Sequence, residues 1–589
     1  MPRWSRARVP SSESRATAGT LPPMLITCSI VSMLLAQAEP AAAAPPPAVA
    51  LRERRDAAGL AEAVAALKAT WPDRVGSQIL ATSVGGYPIH LLTIADDPSA
   101  AGRRPAMLVV GGMDGHRWSS TEAALAIAEG ILRDRPESLR GITVHVVPCA
   151  NPDAAERFVR GPRRASSGNA VAHDNDKDGY GEEDPPRDLN GDGLITQMRA
   201  SGTVPPWRKP TQVADPAEPR LLKSPDAAAG QLAEWTVWTE GIDADADGRM
   251  AEDWPGGIDP ERNFPHRWPE FEDEAGVYPL IAIESKAIAD LVIANPQLFA
   301  ALVIGRHDTV VNVPDAKSRT PGGMPSVLDE GDAAAYGELA KAYRELTGQS
   351  RADGADTAGS LVAWLNAQRG MPAFATTLWG RPDAPPPPDG TPARDPKAPK
   401  PADESAAAWL EYSDRAREGA GFVPWTRQQH PQLGEVEVGG WVPGFRENPP
   451  LADVAPMSAK LVAFLGRVAE ARPKVSISTP TIERAGPSLW RIDAALSNTG
   501  RLPSVMRGGR AEGVTPAHVV RISVPADRVK SGRRVDIVRG IDPGTTRPCS
   551  WIVNAPDDET IVVELLFAGK AVERHAFRGG VSVPAEEVR

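Results

Sequence analysis

The chain has 589 residues, 41% of them apolar, and a formal charge of −11. Such a length exceeds one ordinary domain, so two or three are expected, and the lack of any recurring period excludes a repeat array. The acidic balance, with no Lys/Arg tract interleaved with aromatic residues, excludes a nucleic-acid partner.

The N-terminus reads as an export signal over 1–38: Arg3, Arg6, Arg8 and Arg15 precede an apolar run, and Ala36-Gln37-Ala38 offers a small-residue cleavage site. The apolar run of about a dozen residues is too short to span a bilayer, so no membrane span is expected after cleavage. An Ala/Pro-rich leader fills 39–50. The expected location is therefore periplasmic or extracellular. Cys28 falls inside the signal, leaving Cys149 and Cys549 either to pair or to stay as two unrelated buried thiols.

Apolar spacing predicts a helix over 51–69 and a hairpin flanking Gly85-Gly86. A strand over 106–110, a glycine turn, a helix over 120–133 and a strand over 142–147 set an α/β rhythm. In such sheets the loops at the carboxyl ends of the strands build the site. The rhythm stops over 153–256, rich in Asp, Gly and Pro, which reads as an irregular insertion. It resumes with helices over 283–293, 333–346 and 360–368 and strands over 300–304 and 373–378. A Pro-rich linker over 381–401 lies within a first domain of 51–470, and short β-type runs over 473–589 predict a C-terminal β-sandwich.

Within the insertion, three segments place oxygen donors at alternate positions before a glycine: Asp174, Asp176 and Asp178; Asp188, Asn190 and Asp192; Asp243, Asp245 and Asp247. That spacing suits structural calcium. The bidentate glutamate of an EF-hand is missing, since Pro185, Arg199 and Trp254 stand at its position, and Glu182, Glu183, Asp184, Glu252 or Asp253 would have to substitute. The competing reading is a solvated acidic loop of Asx turns.

The stretch Val109 to Glu122 resembles the strand-turn-helix that opens the metal site of the M14 zinc carboxypeptidases. Asn151-Pro152-Asp153, the segment from Ile258 to Pro265, His307 after a strand, and Gly370 to Trp379 resemble further elements of that family, in the same order. The chain thus looks like a bacterial exported member. The resemblance implies a mixed-sheet α/β carboxypeptidase-like domain, with Arg262 and Asn263 at the substrate and zinc on three protein ligands.

The departures fall on the chemistry. Asp114 stands at the histidine ligand position, Arg117 at the glutamate ligand position and Thr377 at the catalytic glutamate, so that only His307 matches among the metal ligands. Catalytic zinc needs about three protein ligands and an open position. A fixed cation at Arg117, pairing with Asp114, opposes it, and threonine is no general base near neutral pH. His116 and Glu122 are candidate replacement ligands. Asp114, His307 and Asp308 with Arg262 form an alternative pocket, and the alternating Glu435 and Glu437 offer a further carboxylate. The expectation is a degenerate pseudopeptidase that binds peptide or peptidoglycan fragments, with doubtful zinc. The alternatives are an active zinc metallocarboxypeptidase with altered ligands, and an extracellular scaffold with a protein partner on its sandwich domain.

Overall fold

The computed structural model describes residues 47–174, 179, 181–204, 208–254, 256–383, 385 and 405–584. The export signal, Asp176, Asp178 and most of the Pro-rich linker lie outside them.

A six-stranded mixed sheet organises the first domain. Its strands are β1 (Val75–Thr82), β2 (Pro88–Ile94), β3 (Ala106–Val110), β4 (Thr143–Val147), β9 (Leu298–Ile304) and β10 (Ala373–Thr376), in the order β1-β2-β4-β3-β9-β10. β1 and β2 pair antiparallel, as does β2 with β4, whereas β4, β3, β9 and β10 run parallel. β3 and β4 are buried at every position, which is why they read as continuous apolar runs rather than alternating ones.

Helices cover both faces. On one lie α1 (Ala57–Thr70), α2 (Trp118–Asp134), α5 (Ala333–Thr347) and α8 (Leu451–Ala471), whose Leu67, Ile127, Tyr343 and Phe464 share a core with Val109 and Leu302. On the other, α4 (Ile283–Ala294) and α6 (Leu361–Ala363), which runs on into a π turn over Trp364–Gln368, bury Ile288 and Leu365 against Leu108 and Val303.

The first helix starts at Ala57 rather than at 51, because the preceding residues form a strap tied to α2. Arg55 donates to both oxygens of the buried Glu122, at 2.6 and 2.9 Å, and Glu129 accepts the N–H groups of Ala48 and Val49.

The insertion is more regular than expected. After α3 (Pro152–Arg160) it holds β5 (Gln197–Ser201), β6 (Val213–Asp215), β7 (Glu218–Lys223) and β8 (Trp235–Thr239). Downstream, α7 (Ala406–Ala416) leads to the hairpin of β11 (Phe422–His430) and β12 (Gly434–Trp441), and these strands join the insertion in a second sheet, β11-β12-β5-β8. Long-range pairing orders strands that local composition disguises. Glu437 is held by Arg199 at 2.8 Å and Glu435 by Arg427, so this hairpin's carboxylates stay on that sheet.

The C-terminal region is wholly antiparallel. One sheet has β13 (Val475–Ile477), β15 (Leu489–Asn498), β19 (Thr546–Asn554) and β17 (Val529–Ser531), with β14 (Thr481–Gly486) beside β15. The other has β18 (Val535–Val538), β16 (His518–Ile522), β20 (Thr560–Phe567), β21 (Lys570–Arg578) and β22 (Val581–Val583). Ile492 and Trp551 of the first and Ile522 and Val563 of the second share one apolar core. A short helix, α9 (Arg507–Glu512), lies between β15 and β16 and packs against the π turn of the first domain. Cys149 and Cys549 are both buried free thiols.

Candidate functional site: a charged cluster at the strand ends

Val147, Val110, Val303 and Ala375 lie in register across β4, β3, β9 and β10, so whatever follows these strands gathers along one edge of the sheet. After β3 the chain turns at Gly112, with φ +63°, where a Cβ would lie 2.5 Å from Thr121 Oγ1 and 2.7 Å from Cys149 Cα. Only glycine fits there. The turn delivers Asp114 and Arg117; β9 delivers Arg306, His307 and Asp308; β10 delivers Thr377. A short turn over Pro260–Arg262 faces them with Asp259 and Glu261. The Asn-Pro-Asp element braces this floor: Asn151 Nδ2 donates to Met113 O and Ser167 O, and Asp153 accepts from Ala170 N.

At the centre is a guanidinium that the sequence did not single out. Arg306 Nη2 lies 2.6 Å from Asp259 Oδ2 and its Nη1 3.4 Å from Asp114 Oδ1, while Arg117 Nε is 3.9 Å from Asp114 Oδ2. Asp114 also accepts from Ser167 Oγ at 2.9 Å. Burial alone would raise the Asp114 carboxyl, but Arg306 and then Arg117 hold it well below the usual carboxylate range. Asp259 is pushed up to about 6 by burial, which Arg306 opposes and the negative Asp114 reinforces. Burial would lower Arg306, yet Asp259 and Asp114 raise it further than burial lowers it, so it stays a cation.

His307 is 2% exposed; its Nδ1 is 3.3 Å from Ala355 O and its Nε2 3.5 Å from Glu261 Oε2. Glu261 accepts the Leu361 N–H at 3.0 Å. In this cluster Asp114 Oδ2, Arg117 Nε, Asp259 Oδ2, Glu261 Oε1, Arg306 Nη2 and His307 Nε2 are buried without a hydrogen bond, and all but Glu261 Oε1 lie in ion pairs. Thr377 Oγ1 donates to Trp379 O, and the next residue, Leu378, is held at φ +69°, a strained conformation costing about 1–2 kcal/mol.

Other candidates are committed elsewhere. Arg262 is ion-paired with Glu272. Asn263 donates to Ala275 O and Tyr278 O and accepts from Ala282 N, so its amide fixes a loop and has no donor left for a ligand. Asp308 accepts three successive backbone N–H groups, from Val310 to Asn312. Glu122 belongs to Arg55. His116 Nδ1 is 3.3 Å from Ser166 O, and burial, then Arg117, lowers its pKa.

These residues do not fit a catalytic zinc. Among the described residues, the metal-type side chains that converge in threes lie in the insertion, and no such trio includes Asp114, Glu261 or His307. Asp114 instead faces two guanidinium groups.

In the insertion, Asp243 and Asp245 converge with the buried Asp184, and Asp245 and Asp247 with Glu252, each set within 4.8 Å. Two of the neighbours expected to substitute for the missing glutamate thus sit beside the third acidic loop. Burial and the adjacent Asp184 push Glu252 up to about 8. In the second loop, Asp188 accepts the N–H groups of Gly191, Asp192 and Gly193, and Asn190 accepts that of Asp192. Of the first loop, Asp174 accepts from Gly179 N.

A helix-covered mixed sheet with a charged cluster at its strand ends, extended by C-terminal antiparallel sheets, makes this an α/β protein. Residues 60–182, which include Asp114, Arg117 and Asn151, match the family model described as zinc carboxypeptidase, a zinc-dependent family, and residues 474–573 match a domain of unknown function. Among solved structures, the chain is similar to bovine thrombin-activatable fibrinolysis inhibitor in complex with tick carboxypeptidase inhibitor, at 12% identity and TM-score 0.38, over 72% of this chain and 97% of that one. It is also similar to a metallo-carboxypeptidase from Burkholderia cenocepacia, at 11% identity and TM-score 0.31, over 70% and 69%. No curated protein matches it.

Proposed function

We propose that this is an exported carboxypeptidase-like protein that has given up metal-dependent hydrolysis and binds peptide or cell-wall peptide fragments at the strand-end cluster. The observation that carries the reading is the buried Arg306 guanidinium between Asp114 and Asp259. A permanent cation there supplies the charge that a divalent ion would otherwise supply, and no carboxylate stands at Thr377 to take a proton from water. Glu261 Oε1, buried without a hydrogen bond, and Asp114 Oδ2 and His307 Nε2, held only by ion pairs of 3.9 and 3.5 Å, support a binding role, because buried polar atoms left short of partners are costly unless a ligand or water satisfies them. Zinc content and hydrolysis of a peptide panel test it. Expected are no stoichiometric zinc and no turnover; tight zinc with turnover abolished by His307→Ala would overturn it.

We also propose calcium as a structural ion of the insertion. The convergence of Asp184, Asp243, Asp245, Asp247 and Glu252 supports this, since a divalent ion relieves repulsion among hard oxygen donors.

A further inference from the structure

A groove of about 330 Å³ lies on the second sheet, lined by none of the charged strand-end residues. Its apolar wall is aromatic. Phe422 meets Trp441 edge-on at 5.5 Å between ring centroids and Trp425 at 6.3 Å. Both indoles are fixed: Trp425 Nε1 donates to Arg220 O and its ring stacks on Arg199 at 4.2 Å, while Arg446 stands 5.1 Å over Trp441. Both remain partly exposed. The groove is also lined by Gln197, which is exposed, and Gln212, which is half-exposed.

Charge narrows the ligand. Arg220 is the cation at the groove, and it is spent: it donates to both oxygens of Glu218, at 2.8 and 2.9 Å, and to both of Asp414, at 3.1 and 2.7 Å. No other residue lining the groove is charged to select a carboxylate or phosphate; Arg446 stands over the Trp441 ring but is not among the lining residues. What remains is a rigid aromatic wall together with primary amides, each both donor and acceptor. That combination suits a neutral molecule with a flat apolar face and a rim of hydroxyls, which also both donate and accept. Its volume lies in the range of small-ligand sites.

We propose that this groove binds a neutral oligosaccharide, with sugar rings against Trp425 and Trp441 and hydroxyls at Gln197 and Gln212. The inference is independent of the reading of the strand-end cluster.

Isothermal titration calorimetry of the full chain with β-1,4-linked tetramers of glucose and of N-acetylglucosamine tests it. Saturable binding of at least one tetramer is expected, weakened roughly tenfold or more by Trp425→Ala and by Trp441→Ala. Should either variant melt early, Gln197→Ala and Gln212→Ala decide, with a several-fold loss expected from each. Failure of both tetramers to bind, or binding that none of these variants weakens, overturns the proposal. So does saturation of the groove by a synthetic peptide of the chain's own Pro-rich sequence 386–404 when the sugars do not bind.

Discussion

Arg306 is the cation of a buried arrangement in which two carboxylates, Asp114 and Asp259, are each at most 1% exposed. A buried charge that loses its partner is far more costly than an exposed one. Arg306→Met should therefore destabilise the protein by about 3–5 kcal/mol in urea unfolding. Arg117→Met should cost clearly less, because Arg117 stands at 3.9 Å from a single carboxylate oxygen. If the Arg117 variant proves the worse of the two, the roles given to these arginines are reversed. Sequence alone points to Arg117 as the cation beside Asp114 and passes over Arg306. Arg117, Arg262 and Arg306 all lie next to motif residues, and only the fold turns Arg262 outward to Glu272 and Arg306 inward.

At the scale of elements, the acidic insertion depends on partners remote in sequence. β5 and β8 order by pairing with the β11–β12 hairpin, and Gln432 beside that hairpin donates to Asp243 O. The carboxylates clustered around Asp245 resist that order through mutual repulsion. Calcium should raise the thermal midpoint and protect the 181–193 and 243–254 segments from limited proteolysis, and a chelator should reverse both. Identical cleavage and melting with calcium and with chelator would remove calcium from the structure. Helix α8 escaped the sequence reading because Pro456 interrupts its pattern. A proline near the start of a long helix removes one N–H, and burial of Leu461, Phe464, Leu465 and Val468 outweighs that loss.

For the whole molecule, the link between the two regions matters more than its length suggests. Leu502 and Met506 enter the core of the first domain, and α9 packs so closely on the π turn that a Cβ on Gly508 would lie 2.2 Å from Ala367 O. Beside this junction, Asp332 Oδ2 accepts the Arg507 N–H at 2.8 Å, and burial pushes its carboxyl up to about 6 from 3.8. A raised carboxyl favours the folded state fully below the unfolded value, and that contribution is lost as pH rises through the folded one. Asp332→Asn keeps an acceptor and cannot ionise. It should match the parent near pH 4 and exceed it above pH 6, by at most roughly 3 kcal/mol. A difference between the two that stays flat across this range in denaturant titrations would show that Asp332 does not titrate at the junction.

What the sequence by itself determined was the local and the periodic: the parallel strands as buried apolar runs, the helices between them and the β-type runs of the C-terminal region. These rest on short-range spacing, which survives in one dimension. What only the tertiary structure decided was which charges meet. Arg306 reaches Asp259 across 47 residues, Asp184 and Glu252 come to one acidic loop, and three aromatic rings line a groove with glutamines far away in the chain. Coulomb energy and burial depend on distance in space, and sequence fixes that distance only through the whole fold.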